Sequence, residues 1–100
     1  FATSVNNIGL VYYYQNNFNE AIKNWSMASS ILKIYGMGNH PESATIHKNT
    51  AFCHAELGEI SKAKTSIQTA ISILHHNGLK ESEVAVECEE LLKKLNENDL

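Results

Sequence analysis

The chain repeats itself. Shifted by 42 residues, it places Ala2, Thr3 and Asn7 on Ala44, Thr45 and Asn49, and Ala21 on Ala63. The same shift places Ala28, Ser30, Ile31, Leu32 and Gly36 on Ala70, Ser72, Ile73, Leu74 and Gly78. Gly9 meets Ala51, another small residue. A period of this length is the mark of a repeat architecture, in which each unit gains its stability by packing on the next. Two copies and a remainder fill all 100 residues.

Within each copy the apolar residues recur at a helical spacing. The first segment carries Val5, Ile8 and Tyr12, and the second carries Phe18, Ala21, Ile22, Trp25, Ala28, Ile31, Leu32 and Tyr35. Asn16-Asn17 separates the two, and Asn17 with Glu20 has the spacing of a capping box. Between copies, Gly36-Met37-Gly38-Asn39-His40-Pro41 breaks the helix. Pro41 suits the first position of the next one, where an amide would go unpaired. In the second copy the turn falls at Gly58, and Asn77-Gly78 makes the last break. A fifth helix is predicted from about Ser82 to Asn96, with Val84, Cys88, Leu91, Leu92 and Leu95 as its apolar stripe. The expected class is all-α: two helix hairpins plus a C-terminal helix, with repeat one over 2–43, repeat two over 44–81 and the terminal helix over 82–97.

Composition narrows the partners. Eight lysines and no arginine against 11 acidic residues give a net charge of -3, a poor balance for phosphate or base-edge recognition. No nucleic acid is expected, and no membrane either, because no window approaches 18 consecutive apolar residues. The start Phe1-Ala2-Thr3-Ser4 lacks an initiator methionine and the layout of a signal peptide. It reads as an internal piece of a longer, cytoplasmic protein.

Small residues at Gly9, Ala21 and Ala28, and again at Ala51, Ala63 and Ala70, let paired helices approach closely. This pattern resembles the tetratricopeptide repeat. The 42-residue spacing is similar to the longer variety found in kinesin light chains, as are Ala2-Thr3-Ser4-Val5-Asn6-Asn7, Tyr12-Tyr13, Phe18, Glu20-Ala21 and His40-Pro41. The resemblance implies an αα superhelix whose concave face is lined by the first helix of each pair. His47, Thr50 and His54 stand where the first copy has Val5, Ile8 and Tyr12, and Leu92 stands where a small residue is usual. Looser packing of the second copy's first helix is therefore expected, with the last helix closing the array.

By the same resemblance, the inward positions include Thr3, Asn6, Asn7, Leu10, Tyr13 and Tyr14 in the first copy. They include Thr45, Lys48, Asn49, Phe52, Ala55 and Glu56 in the second, and Val86, Glu89, Glu90 and Lys93 in the last helix. From these, Asn6, Asn7, Leu10, Tyr13, Tyr14, Lys48, Asn49 and Phe52 form the expected peptide-binding set. Asn7 and Asn49 could each clamp the backbone of an extended peptide, since an amide both donates and accepts. Leu10, the tyrosines and Phe52 would supply apolar contact at little entropic cost. Solvation of the groove, or bonding between neighbouring helices, is the alternative role for the asparagines. The cations that other members use to grip a carboxylate are missing, because Asn6, Leu10, Val86 and Glu90 hold those places.

Catalysis and metal binding are not expected. His47 and His54 lie seven apart, whereas helical metal ligands come three or four apart, so both read as partly buried core histidines. Cys53 has no base oriented toward it by sequence neighbours, since adjacent helical positions do not face each other, and Cys53 and Cys88 read as free buried thiols. Asn24-Trp25-Ser26 matches a glycosylation sequon in mid-helix and reads as chance. No cofactor is expected. The chain reads as a non-catalytic adaptor binding a peptide or protein segment on its concave face. The alternatives are a scaffold segment that stacks on further repeats or self-associates, and the regulatory arm of a larger enzyme or sensor.

Overall fold

The computed structural model describes residues 2–98, and side chains from Asn6 to Glu97. Thr3 and Val5 therefore have side chains outside the described residues. Five helices follow one another: α1 (Ala2–Tyr14), α2 (Phe18–Ile34), α3 (Pro41–Glu56), α4 (Ile60–His76) and α5 (Glu83–Asn98). The architecture is the expected all-α one, with α1 packed on α2, α2 on α3, α3 on α4 and α4 on α5.

The first four helices end in the same way. A residue of positive φ follows each of them: Asn16 at 61°, Gly36 at 73°, Gly58 at 76° and Gly78 at 70°. The amide after it reaches back five residues, Asn17 to Tyr12, Met37 to Leu32, Glu59 to His54 and Leu79 to Leu74, at 2.7–2.8 Å. This closure satisfies carbonyls that the helix leaves unpaired. Glycine takes the left-handed position without strain at Gly58, and Asn16 is the non-glycine exception.

The capping box at Asn17 does not form. Asn17 stands at the N-cap of α2 with φ -95° and ψ 70°, and its side chain makes no capping bond. Its conformation is set by the closure of α1, which pulls it away from the extended backbone that an N-cap side chain needs. Glu20 remains in the first turn, where a carboxylate complements the helix dipole. Pro41 does open α3, and His40 caps it by accepting the Glu42 amide on Nδ1 at 3.1 Å.

Two clusters form the core. Ala21, Trp25, Ala28 and Leu32 of α2 bury Ile46 and Cys53 of α3. On the other side of α3, Ala44 and Ala51 pack with Ala63, Ile67, Ala70 and Leu74 of α4 and with Ala85, Cys88, Leu91 and Leu95 of α5. Thus α3 is sandwiched, and its apolar residues divide between two faces. The histidines at 47 and 54 do not loosen it, because Ser43, Ala44, Ile46, Ala51 and Cys53 carry its burial. In α5, Val84 and Leu92 lie at the edge of the expected stripe and are only partly buried. Tyr35, by contrast, follows the end of α2 and is 75% exposed.

Small residues set the close approaches. Gly9 is buried against Trp25, and a Cβ placed on it would lie 2.5 Å from Trp25 Cε2. The helices form two layers, because α3 approaches both α1 and α5 closely, whereas among the described residues no Cα atom of α2 lies within 8 Å of one in α4. The first-helix layer is therefore the tighter, inner one, and the array bends toward it. Asn77 Nδ2 donates to the carbonyls of Ile73 (2.8 Å) and Asn39 (2.7 Å), linking the end of α4 to the α2–α3 connection.

Candidate functional site

The inner layer carries a depression of about 190 Å³ between α1, α3 and α5. Leu10, Tyr13 and Tyr14 reach it from α1, one turn apart, and Lys48, Asn49 and Phe52 reach it from α3, one turn earlier in the repeat. Trp25 and Glu87 complete the lining, and neither belonged to the expected set. Glu87 lies 39 residues from Lys48, so only the helix register, not local sequence, brings the two together.

The aromatic wall is ordered by its own contacts. Tyr13 packs edge-on to Tyr14, with ring centroids 5.5 Å apart at 76°, and to Phe18 at 5.5 Å and 63°. Such edge-to-face pairs match the positive edge of one ring to the negative face of another. Tyr14 is 77% exposed, whereas Tyr13 is partly buried against the α2 cluster. Burial raises the Tyr13 hydroxyl above its ordinary value, and the Glu56 carboxylate raises it further, followed by smaller contributions from Cys53 and Tyr14.

The polar residues are mostly engaged with each other. Asn49 Nδ2 donates to Asn6 Oδ1 at 3.1 Å, so these two asparagines join neighbouring helices. Asn6 stands beside the depression rather than in its lining, and Asn7 is exposed and also outside that lining. Lys48 Nζ donates to Glu87 Oε2 at 3.0 Å. The lysine side chain is 14% exposed and that of Glu87 42%. The cation is thus covered and paired, and the carboxylate reaches solvent.

The outer layer has a different character. Where α2 and α4 splay apart, hydroxyl groups of Ser26, Ser29, Ser30, Thr50 and Ser66 surround His47 and His54. The two histidines have separate surroundings. Burial holds His47 below the ordinary imidazole value, with Lys33 adding to the effect. His54 Nδ1 lies 3.0 Å from Glu59 Oε1, and a carboxylate only accepts, so Nδ1 carries the proton. That bond is the main cause of the lowered Glu59 value, with Lys62 assisting. Among the described residues, no group of three potential ligands gathers around a metal-sized space. Cys53 and Cys88 are free and buried, their thiols pushed up to about 12 and about 11, chiefly by burial. A thiol so far from ionisation is a poor nucleophile.

Helix hairpins stacked through small residues, with an inner layer carrying aromatic and amide groups, define a helical-repeat protein. A family model described as tetratricopeptide repeat matches residues 1–74, and the chain belongs to that family. Repeats of this kind are generally protein-interaction modules. No curated protein and no solved structure matches the chain. No helix among the described residues is long and apolar enough to cross a membrane.

Proposed function

We propose that the chain is a non-catalytic adaptor segment, of the long-repeat variety resembling kinesin light chains, that binds a peptide or protein segment on its inner layer. The observation that carries this reading is the shared depression. Leu10, Tyr13 and Tyr14 from one copy and Lys48, Asn49 and Phe52 from the next line the same space. Exposed aromatic surface beside committed hydrogen bonds favours a partner that contributes apolar contact and satisfies its own backbone through what remains of the asparagine amides. Asn7, exposed and at the position equivalent to Asn49, is the residue available to such a backbone. Two free buried thiols suit a reducing compartment, and we place the protein in the cytoplasm. The absence of arginine argues against nucleic acid as the ligand.

Selection of a displayed random-peptide library on the folded chain tests the proposal. Retained peptides should bind Tyr14→Ala and Asn7→Ala variants at least about tenfold more weakly, a loss of about 1.4 kcal/mol. Both residues are exposed, so neither change threatens the core. An empty selection, or peptides indifferent to both changes, would refute it.

A second reading has its own observation. Ile8 and Val11 are 49% and 55% exposed on α1. They occupy the repeat positions of Thr50 and Cys53, and α2 buries Cys53 completely. The outward face of α1 thus has the chemistry of an internal stacking surface. A further repeat or a second copy of the chain would cover it.

A further inference from the structure

We infer that the inner depression recognises a basic side chain, an arginine or lysine carried by an extended peptide. This rests on the peptide-binding reading above and specifies its ligand. Two observations converge on a cation. Tyr13 and Tyr14 stand edge to face at 76°, and Phe52 lines the same space from α3, so the walls offer aromatic rings and the apolar side chain of Leu10. Ring faces attract cations, and the methylene stem of a lysine or arginine packs on apolar surface while its charge stays at the mouth.

The more accessible charge in the lining is negative. Helix α1 contributes no charged residue at all. The lysine in the lining, Lys48, is covered and already paired, whereas its partner Glu87 presents its carboxylate to solvent. Glu56, one turn beyond Phe52, is exposed at the end of α3. One turn beyond Glu87, Glu90 is exposed on the same flank of α5, with the exposed Lys93 and Lys94 a further turn away. An arriving cation therefore meets accessible carboxylates and aromatic faces. An arriving carboxylate would have to displace Glu87 from Lys48, exchanging one ion pair for another.

The ligand assignment is tested with fluorescein-labelled peptides, identical except for a central Arg, Leu or Glu, titrated against the full chain by anisotropy. The Arg peptide should bind at least about tenfold more tightly than the Glu peptide and more tightly than the Leu peptide, with affinity falling as salt rises. Glu56→Gln, an exposed and fold-neutral change, should weaken the Arg peptide about threefold to tenfold and leave the Leu peptide unchanged. Glu87→Gln should weaken it more, because it also uncovers the Lys48 charge. Preference for Leu or Glu would overturn the cation assignment and leave the peptide-binding reading standing, as would an Arg preference untouched by both carboxylate changes. Binding of none of the three, with the library selection also empty, would overturn both.

Discussion

Trp25 Nε1 donates to the backbone carbonyl of Asn6 at 3.1 Å, fastening the largest buried side chain of α2 to the helix that precedes it. Gly9, one turn further along α1, leaves the room that the indole occupies. The small residue, the aromatic ring and the carbonyl form one device, and the first hairpin depends on it.

Gly9→Ala should therefore destabilise the chain, although alanine is the better helix former by about 1 kcal/mol. Overpacking typically costs about 1–3 kcal/mol, and the obstacle here is a rigid ring rather than the end of a flexible chain. The urea midpoint should fall. Trp25→Phe should also lower it, by losing the bond to Asn6 and leaving a void.

Acid should weaken the fold through His47. Its imidazole is held below the ordinary value in the folded chain, so the unfolded chain takes up the proton first as pH falls. This contribution is complete above about pH 6.5 and is lost as pH drops toward the folded value. Urea midpoints measured at about pH 7.5 and about pH 5.5 should differ less in a His47→Asn variant, which has no proton to take up there. Lys33→Met should narrow the difference in part, because burial, the larger cause, remains.

Neither thiol should react while the chain is folded. With Cys53 pushed up to about 12 and Cys88 to about 11, and both buried, alkylation by iodoacetamide at neutral pH should require unfolding. Mass spectrometry after a timed pulse should show unmodified protein in buffer and two adducts in urea. Rapid labelling of either cysteine in buffer would mean that its helix opens locally.

Substituting Ile8 and Val11 together by serine should reduce association between copies. Burying a half-exposed aliphatic side chain contributes about 1 kcal/mol, so losing both weakens the contact at least about tenfold. Sedimentation over a concentration series reads the change. Identical behaviour of the variant and the parent chain would discard this face as an interface.

The repeat and its punctuation were legible in the sequence because they are local. Apolar spacing marks α2, α4 and α5, and Pro41, Gly58 and Gly78 place the breaks where the backbone turns. The character of α3 was harder to read, since a helix packed on two sides has no single stripe and its histidines look like losses. The cap at His40 and the closure that displaces Asn17 depend on backbone angles that side-chain identity does not reveal. At the site, helix spacing groups Leu10 with Tyr13 and Tyr14, and Lys48 with Asn49 and Phe52. Glu87 and Trp25 enter only through the register between helices distant in sequence, and so does the bond that commits Asn49 to Asn6.

The Asn77 amide has a mechanical consequence. With one bond to its own helix and one to Asn39, it ties the end of α4 to the connection between the two copies. Any movement that separates the end of α4 from that connection must first draw Asn39 off Asn77.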